Sequence, residues 1–581
     1  MCMNTAVWLG NRATLRKLGL CVLAFVAAFG LPMAGRAATP ASVTLKPSVT
    51  SPQKLGTPVT WTATVQNASS GHTYGYQFSV TYNGQTQILS DFSPTPTFTW
   101  VPHTVEGAYD FNVVVRDITT TPFTLFAPVS VGFQLLPWVT APLAAGVINP
   151  TSHPLVALFS APPCAATHQL LVRFQPASPT GSQSPHSMTT NLVPCSTNSA
   201  NFYIAGMYPS SKYLMHWEEY AGITLVNTGS NLSFTTGPLP STLASQTYKV
   251  NVPAQAYDSS YPVAFFQSVL GGGTATDLAG NLIWYAANTS FILRMEPGGL
   301  YYSYTNGSNF YEYDLAGNVV IQSNTEIINE QLTAKGYPVI TTFNSHEARN
   351  LPDGNIALLG YRYIVSTSAQ GGTPAKPVNI LGDEIVVVDR NMQLVWAWDA
   401  FAHQDINRAA TDGDVCLPNA GGCPAGAGGN DWLHSNAIQG TADGNLILSE
   451  RAQDWFLKIN YAKGKGDGTV IWRMGPGGDF TTLNPPSATC FDPTYPGGST
   501  NLIPWFTHQH DPSFQFEDQA SGDGDTLLTV YDDGNTRHGN CSGTQNSRGM
   551  VLLVNEAARP FTSRRWPTWE GTLWPWGPRS C

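Results

Sequence analysis

From about residue 255 onward the chain repeats one pattern: a Gly-containing turn, then a short run that is apolar on both faces. TDLAGNLIWYA, YDLAGNVVIQ, LPDGNIALLGY, TADGNLILSE and SGDGDTLLTVY are its instances. Between them EIVVVDRNMQLVWAWD, FLKIN with GDGTVIWRMG, and GMVLLVNE supply further strands. In LPDGNIALLGY, Ile356 and Leu358 point one way and Ala357 and Leu359 the other, because side chains alternate along a strand. A sheet apolar on both faces is covered on both sides, and a repeated four-stranded unit of this kind predicts a β-propeller. Meanders are expected near 263–297, 298–340, 344–400, 433–477 and 507–556. In the fourth, strands are predicted over 434–439, 445–451, 455–460 and 470–473, with the first turn at Thr441, Ala442, Asp443 and Gly444.

Upstream the pattern is different. Over 39–137, TPVTWTATV, YGYQFSVTY, PTFTW and AYDFNVVVRD alternate polar with β-branched or aromatic positions, punctuated by Gly, Pro and Asn. That spacing predicts a β-sandwich. Residues 138–245, with LPWVTAPL, MYPSSKYLMHWEEY and LSFTTGPLP, predict a second sandwich that resembles a fibronectin type III domain. In residues 1–38, Arg12, Arg16 and Lys17 precede LGLCVLAFVAAFGLPMAG, and Ala37-Ala38 follows. A basic start, an apolar run and a small-residue exit describe a secretory signal. The run is short for a membrane span and Pro32 interrupts it, so a periplasmic or secreted protein is expected, with no span after signal removal. The fold class is thus all-β: two sandwiches, then a propeller over 255–581.

Composition agrees. The chain has 581 residues, enough for two to four domains, and only 11% are charged while Gly numbers 54 and Pro 43. The net charge of -10, without a basic block, argues against a nucleic-acid partner. Once Cys2 and Cys21 leave with the signal, seven cysteines remain. Pairing sequence neighbours gives 164–195, 416–423 and 490–541, leaving Cys581; six cysteines allow 15 connectivities. A Cys416–Cys423 bridge would staple the loop before DWLHSN. No CxxC pair points to zinc.

Candidate chemistry sits in the later meanders. His346 precedes one Asp-Gly turn (SHEARNLPDGN), His434 the next (LHSNAIQGTADGN), and His508 and His510 (THQHDPSF) a third. Arg362 and Arg451 follow two of these turns. Residues in register on successive blades converge on the channel axis, which points to function. Arginine binds tetrahedral oxyanions through its forked donors, and neutral histidine can act as nucleophile or proton carrier. Three histidines, His346, His434 and His510, could also hold zinc for a hydrolase or lyase, but two arginines would repel the cation; no metal and no cofactor is expected. The remaining alternative is a non-catalytic secreted propeller that binds ligands or acts as a scaffold. The scattered His72, His103, His153, His168, His186 and His216 read as structural.

DWLHSNAI with DGNLILSERAQDWFLKIN resembles the central motif of the bacterial arylsulfotransferase family, and SHEARNLPDGNIALLGYRY and THQHD are similar to its pattern. The resemblance covers roughly 255–555. It implies a six-bladed periplasmic propeller preceded by a small β domain, and transfer of a sulfuryl group from an aryl sulfate to a phenol without a nucleotide donor. By that resemblance His434 takes up the sulfuryl group covalently and His346 and Arg362 hold the anion. Arg451, Asn436 and Thr507 fall on matched or adjacent positions, and His508 or His510 would shuttle the phenol proton. Two departures stand out. No histidine lies between His216 and His346, where the family has one in an early blade, which leaves residues 301–304 (YYSY) to fill that space. A sixth blade is also expected to be missing or replaced, because ARPFTSRRWPTWEGTLWPWGPRSC shows no strand alternation and no DGN turn.

Overall fold

The computed structural model describes residues 42–181, 183, 187–251, 263–268, 272–288, 291–416, 428–482, 505–515, 525–535 and 547–564. Residues 1–41, where a secretory signal is expected, Cys423, Cys490, Cys541, Cys581 and the tail from 565 lie outside the described residues. What is described is almost entirely β.

Two sandwiches open it. In the first, the sheet of Ser42–Pro47, Val59–Gln66 and Thr97–Trp100 faces the sheet containing Tyr74–Tyr82, Gln85–Ser93, Gly107–Asp117 and Val129–Leu136. Trp61 of one sheet stacks on Phe111 of the other with ring centroids 4.3 Å apart. In the second, Ala157–Ala161 and Ala200–Ile204 face Gln169–Pro176 and Lys212–Ala221, around Phe159, Val172, Met215 and Trp217. Cys164 and Cys195 are bridged, the pairing expected from sequence neighbours. The histidines here are locally satisfied: His72 meets Asp117, His168 Glu219 and His216 Glu218, His103 stacks on Tyr203 and His153 lies 2.9 Å from Tyr285 O.

Five sheets follow in chain order. The first holds Val263–Ser268, Gly272–Asp277 and Leu282–Tyr285; the second, Arg294–Glu296, Leu300–Thr305, Asn309–Asp314 and Val319–Asn324. The third holds Thr342–Asn350, Ile356–Ser366, Val378–Val388 and Leu394–Asp399, and the fourth Ser435–Gly440, Leu446–Glu450, Trp455–Ile459 and Val470–Met474. The fifth holds His510–Gln515, Asp525–Asp532, Arg548–Asn555 and Pro560–Arg564. The first strands of the second to fifth sheets lie one against the next, so their leading residues face a shared region.

The repeated turn has a simple cause. Asp314 Oδ1 accepts the backbone N–H groups of Ala316 and Asn318, each at 2.9 Å, while Gly317 takes φ 82°. Asp277 does the same for Ala279 and Asn281. An acidic side chain that closes its own turn, with glycine in the left-handed position, recurs because few other residues can do either.

Tryptophans then join one sheet to the next. Trp284 donates to Leu315 O, Trp398 to Gly468 O and Trp472 to Glu556 Oε2, at 2.9, 2.9 and 3.0 Å. Trp398 is 1% exposed. Trp398→Ala should remove both packing and this bond, costing about 3–5 kcal/mol, read as a lowered urea midpoint of tryptophan fluorescence.

Two expectations need correction, and one contact between domains had no signal in the sequence. Residues 325–334, placed within a meander by the sequence pattern, form helix α1 (Thr325–Ala334): Asn324 Oδ1 caps it by accepting Ile327 N–H at 3.1 Å, and Glu326 sits in its first turn, where a negative charge is favoured. Residues 560–564, read as part of a strandless tail, pair with Arg548–Asn555 and complete the fifth sheet. The first sandwich is also not a separate bead. Gln85–Ser93 pairs in parallel with Val319–Asn324 of the second sheet, and Arg116 makes a bidentate bond to Glu330 of α1 at 2.7 and 2.8 Å. A cavity of about 580 Å³, lined mainly by uncharged polar side chains, opens at that junction, away from the histidines.

Candidate active site

Asp431, Trp432, Leu433 and His434 turn the corner between the third and fourth sheets. Asp431 ends Gly429–Asp431, a short strand parallel to Val378–Val388. Trp432 and Leu433 are buried. The Trp432 indole donates to Arg408 O at 2.8 Å, and Gln453 Nε2 donates to Trp432 O at 2.6 Å. His434 then adopts φ 50° before Ser435–Gly440 begins. A left-handed non-glycine residue costs on the order of 1–3 kcal/mol and persists where its surroundings dictate it. The buried pair before it and Ser435 after it do so here.

His346 arrives differently. The ladder between Thr342–Asn350 and Ile356–Ser366 slips between Phe343 and Ala348, so residues 344–347 bulge out of the sheet. The bulge sets the His346 ring edge-on to His434, with centroids 4.9 Å apart. His510, at the head of the fifth sheet, lies 6.4 Å from His346, with its Nδ1 3.3 Å from Asp533 Oδ2.

The two central rings are tuned in opposite directions. His434 Nδ1 lies 2.5 Å from Asp431 Oδ2. Burial opposes the imidazolium, but the charge and hydrogen bond of Asp431 outweigh it and raise the His434 pKa above its ordinary 6.5. His346 goes well below 6.5, first through burial and then through His434, His510 and Arg451. Asp383, fully buried beside Asp431, is pushed up to about 7, chiefly by burial.

Arg451 follows Leu446–Glu450 and opens a short 3-10 turn, and its Nη1 donates to Asp414 Oδ2 at 3.3 Å. The same oxygen lies 3.0 Å from Nε2 of His508, whose backbone N–H donates to Asp454 Oδ1 at 2.6 Å. His508 is fully buried, so it supports Arg451 through Asp414 rather than facing the rings. Asn436 Nδ2 donates to Gln509 O at 2.7 Å, while its Oδ1 and the Oγ1 of Thr507 are buried without a hydrogen-bond partner.

Arg362 has carboxylate and ring partners of its own. Its Nη1 donates to Asp399 Oδ2 at 2.6 Å, its Nε lies 3.8 Å from Glu384, and its guanidinium covers Phe401. These partners belong to Val378–Val388, Leu394–Asp399 and the short helix α2 (Ala400–His403), not to the histidine cluster. His346, His434 and His510 do not form a compact ligand set: among the described residues, the groups whose ligand atoms gather within 4.8 Å are Cys164, Cys195 and Glu219, and Asp412, Asp414 and His508. Cys416 is disulfide-bonded and its strand pairs with Gly429–Asp431; Cys423 lies outside the described residues.

Sequence reasoning missed Asp431, Asn344, Asp414 and Arg294. Arg294 Nε and Nη2 bond Glu347 at 2.8 and 2.9 Å, and Nη2 also meets Asp511 at 2.7 Å. It therefore brings a cation from the early sheet to the residues that follow His346 and His510. Of residues 301–304, Tyr301 and Tyr302 are core residues, while Tyr304 stacks on Phe343 and donates its hydroxyl to Glu347 O, next to His346, at 3.4 Å.

The family model described as Arylsulfotransferase (ASST) matches residues 241–563, more than half of the chain. The chain belongs to this family. As an arylsulfotransferase it is a transferase of sulfuryl groups, with aryl sulfates and phenols as its substrate classes. No curated protein matches this arylsulfotransferase. Solved structures similar to part of it include the chicken interferon gamma receptor alpha chain, 12% identical over 33% of this chain and 98% of that one, with a TM-score of 0.13. A two-domain fibronectin type-III segment of chicken tenascin is 13% identical over 33% and 97%, with a TM-score of 0.14. Scores this low add nothing to the sheets described above.

Proposed function

We propose that this arylsulfotransferase works by a ping-pong route through a sulfonated His434, without a nucleotide sulfate donor, in the periplasm or outside the cell, on a propeller of the six-bladed type whose last blade is replaced. The observation that carries the proposal is the Asp431–His434 pair: with Nδ1 committed to Asp431, Nε2 is the ring nitrogen left to attack. Its lone pair forms a bond to sulfur, and the sulfur–oxygen bond to the aryl group breaks with its electrons leaving on the phenolate. Phenols ionise near pH 10, so this leaving group needs little help. In the second half, a phenol oxygen bonds to sulfur, the nitrogen–sulfur bond breaks and its pair returns to His434. His346, held neutral and nearest, takes the phenol proton, with the more exposed His510 next in line.

Arg451 faces both rings electrostatically and offsets charge on the sulfuryl oxygens. Arg451→Ala should lower kcat/KM by about 10²–10³-fold. Arg362→Ala should act mainly on stability, by loss of its bond to Asp399. Steady-state kinetics and melting curves of the two variants separate these roles; equal kinetic losses would return Arg362 to the site.

The test is release of 4-nitrophenol from 4-nitrophenyl sulfate with and without added phenol, with mass spectrometry of the His434 peptide when phenol is omitted. Phenol-dependent release and a sulfonated His434 are expected. Turnover with an unmodified His434 would replace this route by direct transfer.

A further inference from the structure

We infer that Asn344, backed by Asp383, is a positioning residue that fixes the tautomer of His346 and ties it to the backbone of Ser435, the residue after His434. The role given to His346 rests on the proposed sulfotransfer; the positioning itself rests on geometry. Asn344 is fully buried in the bulge. Its Oδ1 accepts the His346 backbone N–H at 2.9 Å and lies 2.8 Å from His346 Nδ1. Its Nδ2 donates to Ser435 O at 2.7 Å and lies 3.4 Å from Asp383 Oδ1. The amide cannot be turned round, because a backbone donor faces one end and a backbone acceptor the other.

A neutral imidazole can carry its proton on either nitrogen. Here an obligate acceptor stands against Nδ1, so the proton sits there and Nε2 keeps its lone pair. His346 is thereby set to receive a proton at Nε2 rather than to donate one to a bound anion, which reverses the role that the family resemblance gives it. The same amide reaches the partner ring. Asn344 holds the carbonyl of Ser435, and Asp383 Oδ2 accepts the Ser435 N–H at 2.8 Å. Both polar groups of the residue after His434 are therefore gripped, at the point where the chain leaves φ 50°. One buried side chain thus links the two rings, and no pattern of histidines in the sequence points to it.

The full chain, labelled with ¹⁵N-histidine, tests this by ring-nitrogen NMR, with His346→Gln identifying the resonances. The expected wild-type signature is a protonated Nδ1 and an unprotonated Nε2 at neutral pH. Asn344→Ala should shift it toward a protonated Nε2, whereas Asp383→Asn, which keeps a carbonyl acceptor beside Ser435, should retain it. In kinetics, Asn344→Ala should lower kcat by about 10–10²-fold with KM within about twofold, the pattern of a lost transition-state interaction. A wild-type His346 protonated at Nε2 overturns the inference, and so does an Asn344→Ala protein with an unchanged signature. If that variant does not fold, the wild-type spectrum decides alone. The spectrum does not depend on turnover: a chain that transfers no sulfuryl group yet shows the Nδ1 proton would sink the proposed reaction and leave the positioning intact.

Discussion

His434→Ala should abolish phenol-dependent release of 4-nitrophenol, lowering kcat by about 10⁴-fold or more, with little effect on the melting curve. The backbone strain at φ 50° is carried by either residue, so the stability change reads only the lost contact with Asp431, and a folded variant without activity separates the two effects. The sulfonated peptide should vanish with it. A variant that keeps even a tenth of the activity would mean that the group never rests on this ring, and His346 would be the next candidate.

Asp431→Asn should be nearly as damaging, by roughly 10²–10⁴-fold, as for other histidines that lose an orienting carboxylate. Its pH dependence carries a sign. His434 attacks only when neutral, and Asp431 raises its pKa, so wild-type kcat/KM should climb with pH through a group above 6.5. Removing the carboxylate leaves burial, the largest influence, and Arg451, which favour the neutral ring, against Asp383 alone, which favours the charged one, so the climb should move to lower pH. A profile with an unmoved limb would show that another group sets it. The losses in rate and the shift in profile have different causes, tautomer in the first case and charge in the second, and both follow from one contact of 2.5 Å.

Much of this was legible in the chain. The Asp-Gly-Asn turns announce themselves because their hydrogen bonds are local, and the fourth sheet's strands fall within a residue or two of expectation. Three of the four histidines singled out do converge. Arg362 is out of step with Arg451. It stands eight residues after Gly354, while Arg451 stands seven after Gly444, and one residue of offset along a strand moves a side chain to the opposite face. Arg451 also sits where its strand has just ended in a short 3-10 turn, so it is not bound by strand alternation. Asn344 and Arg294 had no signal of any kind. The first depends on a slip in pairing that only the folded ladder shows, and the second is brought in by contact between neighbouring sheets. Asp431 could have been found: its three-residue spacing from His434 is written in the motif.

The parallel pairing of Gln85–Ser93 with Val319–Asn324 has a practical consequence. The second sheet would otherwise end in an open row of backbone donors and acceptors, the feature that lets proteins aggregate through their edges. The first sandwich covers that edge with one backbone bridge, Gln322 to Ser90, and side-chain bonds from Gln322 to Ser90 and from Asn324 to Phe92 O. Expressing the region matched by the family model on its own would uncover that edge, and the catalytic half would need its amino-terminal companion to remain a solitary, soluble molecule.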